Sequence, residues 1–480
     1  MNCKYLQQNI KSIYEQISKT WDSSIVPQLI EYIKIPNKSP AYDPNWQAHG
    51  HMHKAMQLIA NWCEQQPIKN MKVTILQEEK RTPLLYIDIA GQCDETIMMY
   101  GHMDKQPEMA GWREGLGPWQ PVLQDDKLYG RGSSDDGYSV FAALTAIAVL
   151  QQHQIPHGRC LLLIEACEES GSYDLPFYLD YLKKHIGKPS LVICLDSDAG
   201  NYQQMWLTTS LRGLIGGSLK IAVLEEGMHS GTASGVVPST WMVLRQLLDR
   251  VENAKTGKVL LKAFQATIPK HCIAAAKQTA RAYGKKFFDN YPFLSGVKPT
   301  TAKLHELLLN HTWRPQLSIT GINGLPAIAN AGNVTVPHLT VQLSFRIPPS
   351  VNAKNAAKML KTVLEKNPPF KAKVTFTPDH CVRGCELPKP SAWLAKAVET
   401  ASTNFFGKPA AYFGTGGCIP FIRMLGERYP QAQFVITGVL GPKSNAHGPN
   451  EFLHLPMAKK ITGCVAAIVA AHYEQYCDGK

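Results

Sequence analysis

The sequence predicts an α/β fold: a main domain on a mainly parallel sheet, split by an inserted α+β domain. Three observations point there. Short apolar runs alternate with helix-period segments over the first 200 residues or so. That alternation gives way to amphipathic strand patterns from about Trp206 to Phe345, and then returns from Ser391. At 480 residues the chain is also too long for one ordinary core. The expected division is 1–206 and 386–480 for the main domain and 207–385 for the insert.

The elements follow in order. Residues 23–35 carry Ile25, Leu29, Ile30, Tyr32 and Ile33 at helical spacing, and Asn37-Lys-Ser-Pro40 ends that helix. Residues 51–65 form a second helix around Met56, Leu58, Ile59 and Trp62. Residues 73–76 and 84–90 read as strands, followed by one through Ile97-Met-Met-Tyr100 that ends at His102. Residues 136–152 are a strongly apolar helix. Residues 160–166 and 191–195 are near-continuous apolar runs, as in strands covered on both faces, with a helix over 175–185 between them. Inside the insert, 217–224 and 339–345 read as strands and 240–252 as a long helix; a late buried strand covers 434–438.

Composition narrows the function classes. Hydrophobic content of 44% and charged content of 18% describe a globular chain. No apolar run approaches the roughly 18 residues of a membrane span, and no export signal is visible at the N-terminus. The 12 cysteines are scattered, with no Cys-x-x-Cys; Cys381 and Cys385 are the one close pair. Free thiols in a reducing, cytoplasmic setting are therefore expected. The net charge of +12 is spread along the chain, densest over 255–286. No nucleic-acid-binding signature accompanies it, so it reads as a solvated basic face.

The chemistry gathers at strand ends. His102 closes one strand, and Asp104 lies two residues on. Asp135 stands in the turn before the 136–152 helix. Glu168-Glu169 follow the 160–166 strand, Asp196 follows the 191–195 strand, and His447 lies beyond the last strand. Open α/β sheets hold ligands at this edge. So many carboxylates together are costly unless cations neutralise them. Two three-ligand sites sharing one carboxylate would hold two ions roughly 3.5–4 Å apart and activate a water between them. Adjacent Glu168 and Glu169 suit a division in which one ligates and the other takes the water's proton. Asp104 is placed to fix the tautomer of His102.

Gly101-His-Met-Asp104, Gly130-Arg-Gly-Ser-Ser-Asp-Asp136, Glu168-Glu-Ser-Gly171 and Ala446-His447 resemble the M20 metallopeptidases, in particular the carnosinase-like and cytosolic non-specific dipeptidase branch. Ser210-Leu-Arg-Gly213, Met228-His-Ser-Gly231 and Ser344-Phe-Arg-Ile-Pro348 extend the likeness. The resemblance implies that the main domain is catalytic and that the insert serves as a lid and dimerisation domain. It implies two divalent ions per subunit, Zn or Mn with Co possible. His102, Asp135 and Asp196 would hold one; Asp135, Glu169 and His447 would hold the other. Asp198 is the alternative to Asp196. A cis peptide at Asp135–Asp136 is also implied. Glu168 would be the general base, and Asp104 would orient His102. His229 would reach across a homodimer to the scissile carbonyl, and Arg346 would clamp a terminal carboxylate.

Two departures stand out. No lysine lies between Asp136 and Gly137, where the resemblance often has one. Cys418 stands where a serine is usual in the Gly416-Gly417 turn, which would bind substrate through backbone amides. The function implied is hydrolysis of dipeptides with a free C-terminal carboxylate. An N-acyl amino acid amidohydrolase or a carboxypeptidase of the same fold is the alternative. A non-catalytic nucleic-acid binder is a third reading, against which the intact Glu168, Glu169 and both histidines argue.

Overall fold

The protein is described here by a computed structural model covering residues 6, 9–417 and 420–478. Its centre is a six-stranded sheet. The strands are β1 (Met71–Leu76), β2 (Leu84–Ile89), β3 (Cys93–His102), β4 (Gly158–Glu165), β5 (Leu191–Cys194) and β6 (Gln433–Ile436). Their spatial order is β1-β2-β4-β3-β5-β6. The four strands β4, β3, β5 and β6 are mutually parallel, and the β1–β2 and β2–β4 pairs are antiparallel. The sheet is thus mixed, with a parallel heart, and β3 lies between β4 and β5.

Period-two alternation explains why these runs are apolar throughout. Ile97 and Met99 of β3 and Cys160 and Leu162 of β4 face one core; Met98, Tyr100, Leu161 and Leu163 face the other. The first core is capped by helices Ser139–Gln152, Ala392–Phe406 and Leu455–Tyr476. Every residue from Ser139 to Leu150 is buried, as suits a helix that is apolar all round. The second core is covered by Leu175–Tyr181 and Pro420–Arg428.

Several sequence expectations need correction. The first long helix begins well before residue 23: Ile10–Thr20 runs through a π-helical stretch, Trp21–Ile25, into Val26–Ile33. Ile13, Ile17, Trp21 and Ile25 form its buried stripe, which the intervening Lys, Gln and Ser disguise. The helix expected over 175–185 breaks at Leu182 into Leu175–Tyr181 and Lys183–Ile186. The helix expected over 240–252 is Thr240–Leu248. Beyond it, Arg250 is drawn to the carbonyls of Val363, Lys366 and Asn367. Cys93 and Cys477 are not free thiols: their Cα atoms lie 6.1 Å apart and a disulfide joins them. Cys381 and Cys385 are free, as are six others among the described residues.

The insert has its own sheet and core. Strands Gln316–Asn323, His338–Ile347, Gly213–Ala222 and Lys373–Val382 pair antiparallel in that order. Alternate residues of His338–Ile347 are buried against helices Thr240–Leu248 and Ala353–Glu365. Between these strands the chain leaves that sheet. Tyr283, Phe287 and Leu308, in or beside helices Lys270–Tyr283 and Leu304–Thr312, pack into the main core. Among the described residues no helix is long and apolar enough to cross a membrane.

Candidate metal centre

The parallel heart of the sheet delivers three of the ligand-type residues to one edge. His102 is the last residue of β3, and Asp196 and the Glu168–Ser170 turn follow β5 and β4. The imidazole of His102 is fully buried, with Nδ1 3.2 Å from the Asp104 carbonyl oxygen and 3.5 Å from its carboxylate. A proton on Nδ1 satisfies that carbonyl and leaves Nε2 as a lone-pair donor. Nε2 faces Asp135 Oδ1 at 3.3 Å and Asp196 Oδ2 at 3.6 Å.

Asp135 presents its other oxygen to a second histidine. Oδ2 lies 3.0 Å from His447 Nε2, which is also 3.4 Å from Glu169 Oε2. His447 takes a left-handed backbone conformation, φ 65°, in the loop after β6. The Asp135–Asp136 peptide is cis, as the resemblance implies. Asp136 turns away from the cluster, and one of its carboxylate oxygens accepts the His102 N–H at 3.2 Å.

Two supports escaped the sequence reading. Buried Glu451 accepts from Ser134 N, Asp135 N and Ser134 Oγ at 3.2–3.3 Å, and pairs with Arg131 at 2.8 Å. Arg131 also donates to the His447 carbonyl at 3.2 Å. The pair thus ties the loop of Asp135 to the loop of His447. Asp104 does more than face His102: its two oxygens accept the N–H groups of Glu168 and Glu169 at 3.1 and 3.0 Å. Gln106 donates to Glu169 Oε2 at 2.5 Å.

The electrostatics are those of a crowded acidic site. Burial, then neighbouring negative charge, pushes Asp196 up to about 7, Glu169 to about 8 and Glu168 well above the carboxylate range. Asp135 is the exception. Burial opposes its charge, but the imidazoles of His102 and His447 that face it hold its carboxyl well below the usual range. Burial likewise opposes the charge of His447, and its hydrogen bond with Asp135 overcomes that, raising it to about 10.

The donor set fits divalent cations. Two three-residue groups, His102/Asp135/Asp196 and Asp135/Glu169/His447, each bring ligand atoms within 4.8 Å of one another. Asp135 belongs to both. His102 Nε2 and Glu169 Oε1 are buried with no hydrogen-bond partner among the described residues, and such atoms are costly unless something fills the gap. Imidazole and carboxylate together suit Zn or Mn. Asp198, the alternative ligand, belongs to neither group. A third group, His271/Cys272/Glu386, is more exposed and shares no residue with these two.

The expected substrate residues lie elsewhere on the chain. His229 is exposed in a short strand beside Val334, and its Nδ1 accepts the Gly231 N–H at 3.1 Å. Arg346, in the strand His338–Ile347, is half-buried. Gly417 is exposed; Cys418 lies outside the described residues. Beside Gly416 the structure gathers Arg212 and His311, neither of which the sequence reading assigned a role.

Carboxylates and imidazoles, most of them buried, converge where the strands end, and that donor set defines the class: a protein built to hold divalent cations. More particularly, the chain belongs to peptidase family M20/M25/M40, whose family model matches residues 98–471. It is 26% identical over 383 residues to a cysteinylglycine-S-conjugate dipeptidase of Corynebacterium striatum, covering 76% of this chain and 79% of that one. It is 26% identical over 301 residues to the mouse (Mus musculus) Beta-Ala-His dipeptidase, spanning 60% of each. Human carnosine dipeptidase 1 shares the fold, with TM-score 0.78, 20% identity and coverage of 96% of this chain and 98% of that one. The chain is therefore a metallopeptidase of this family with dipeptidases among its relatives, and its mixed α/β architecture is that family's.

Proposed function

We propose that this enzyme hydrolyses dipeptides with a free C-terminal carboxylate, using two divalent cations per subunit. The observation that carries this reading is Asp135, whose two carboxylate oxygens face different histidines at 3.3 and 3.0 Å. A carboxylate so shared suits a bridging ligand. His102 and Asp196 would complete one site, and Glu169 and His447 the other; Zn or Mn would serve, and Co could. When bound, such ions would polarise the scissile carbonyl and lower the pKa of water at the site.

The chain's own groups would do the rest. Glu168 belongs to neither ligand group. Burial raises its affinity for a proton, which suits a general base that takes one from water and passes it to the leaving amine. Asp104 would position this base through its N–H and the ligand beside it through the next. The Gly231 N–H occupies His229 Nδ1, so Nε2 carries the proton and can donate to a carbonyl oxygen. Arg346 would clamp the terminal carboxylate, with the amides near Gly417 and Cys418 beside it.

A homodimer would bring His229 of one subunit to the site of the other. Ile319, Ile322, Leu325, Ile328 and Val334 are all exposed on or after the insert's edge strand, in support of such an interface. The insert boundaries 207–385 belong to the same proposal, as does a cytoplasmic setting. The test is a panel of free and N-acetylated dipeptides offered to metal-loaded enzyme. Cleavage of the free set alone is expected; cleavage of the acetylated set instead would make the protein an amidohydrolase.

A further inference from the structure

Glu165 is the last residue of β4 and only 2% exposed. It shares the sheet face by which Leu161 and Leu163 enter the second core. A carboxyl group there is costly unless donors surround it. Three do. Oε1 accepts from Tyr100 Oη, and from Ser172 Oγ at 2.9 Å; Oε2 accepts from Cys167 Sγ at 3.4 Å.

Cys167 and Ser172 are the two ends of the turn that presents Glu168. Ser170 N and Ser172 N donate to the Cys167 carbonyl at 3.2 and 2.9 Å, and Gly171 N donates to that of Glu168 at 2.7 Å. Gly171 and Ser172 both have positive φ, 92° and 54°. Glycine adopts such a φ freely, whereas a serine there is held by its surroundings. Other contacts hold the middle of the turn. Asp104 accepts the N–H groups of Glu168 and Glu169. Ser170 Oγ accepts the Ala41 N–H at 2.9 Å and meets Ser39 Oγ at 2.5 Å. Glu165 holds the two ends. Tyr100 anchors it in turn to β3, the strand that finishes at His102, and the Tyr100 ring stacks on Phe421 with centroids 3.5 Å apart. The backbone ties the same two strands, since Met103 N donates to the Glu165 carbonyl at 2.9 Å.

We propose that Glu165 is a positioning residue for the general base. By joining Tyr100 of β3 to Cys167 and Ser172, it fixes both ends of the turn against the strand that carries His102. That sets where the Glu168 carboxylate stands. A base must lie within hydrogen-bond reach of the proton it takes, and a displacement of about 1 Å can cost about 100-fold in rate. Glu165 acts through Glu168 and not on the substrate. The proposal rests on the reading of Glu168 as the base.

The test measures kcat, KM and bound metal under saturating metal, with the free dipeptide that the wild type cleaves fastest. Ser172→Ala removes one hydroxyl and leaves Glu168, Glu169 and Tyr100 in place. Its kcat should fall about fivefold or more, the scale of one hydrogen bond, with KM and bound metal within about twofold of wild type. The loss runs through the base, so Ser172→Ala should change kcat by less than about twofold in a Glu168→Gln background. Glu165→Gln keeps an acceptor oxygen for Tyr100 and Ser172, and should retain several-fold more kcat than Glu165→Ala. Tyr100→Phe, which keeps the ring on Phe421, should lower kcat as Ser172→Ala does, and serves if Glu165→Ala does not fold. An unchanged kcat in Ser172→Ala overturns the proposal. So does an equal fall in both backgrounds, the mark of a purely structural role, or a loss of bound metal that accounts for the fall. Each of these leaves the dipeptidase reading standing. Near-wild-type kcat in Glu168→Gln itself, or cleavage of no dipeptide by the wild type, removes that reading and this proposal with it.

Discussion

Asp104→Asn isolates what one buried carboxylate contributes without touching a ligand. Asp104 is fully buried, accepts the N–H groups of Glu168 and Glu169 at 3.1 and 3.0 Å, and lies 3.5 Å from His102 Nδ1. Asparagine preserves the volume but offers one acceptor oxygen and one amide donor. One of the two N–H groups would then meet a donor instead of a carboxylate oxygen. A hydrogen bond to a charged group is worth about 1.5–3 kcal/mol. The loss falls on the turn that presents Glu168 and Glu169, so it should appear at the site. We expect kcat/KM and metal affinity each to fall by roughly 10–100-fold, as for other groups that orient ligands. Steady-state kinetics under saturating metal, with chelator competition for affinity, would separate the two effects. A variant within about twofold of wild type in both would refute the positioning role, since no lost hydrogen bond of that size could be hidden.

Two further outcomes are expected. His229→Ala and Arg346→Ala should each be nearly inactive, but subunits mixed at random should regain about a quarter of wild-type turnover, because each two-fold heterodimer holds one intact site; no recovery in verified heterodimers would remove the cross-subunit role. The melting temperature of metal-stripped protein should fall as pH rises from about 5 to 8. Asp196 and Glu169 are raised to about 7 and 8 in the folded state, so the native protein binds more protons than the unfolded chain across that window. His447, raised to about 10, adds to the same trend, and the lowered Asp135 acts only below its ordinary range. Bound metal should reverse the slope, and a flat profile in differential scanning fluorimetry without metal would count against this electrostatic picture.

Much of the fold was legible because its central strands are short apolar runs with abrupt polar ends. The same abruptness pointed to the candidate site: His102 ends a strand, and Glu168, Glu169 and Asp196 come just after one. What the sequence concealed depends on contacts between distant segments. Arg131 and Glu451 are 320 residues apart, and nothing local marks their pairing. Arg212 lay within a quoted motif, but its convergence with His311 requires the helix Leu304–Thr312 to return to the main core. The Cys93–Cys477 bridge is hidden for the same reason, at a separation of 384. The helix over residues 10–20 was missed because polar residues separate Ile13, Ile17 and Trp21, although their spacing is helical.

Metal-dependent turnover against metal stoichiometry bears most directly on the central reading. The protein would be stripped, then titrated with Mn or Zn while dipeptide hydrolysis and bound metal are followed together. Activity should return with uptake of two ions per subunit, and Glu168→Gln should bind the same two while turning over about 100-fold or more slowly. Full activity with the metal removed, or with a single ion bound, would contradict a shared site built on Asp135.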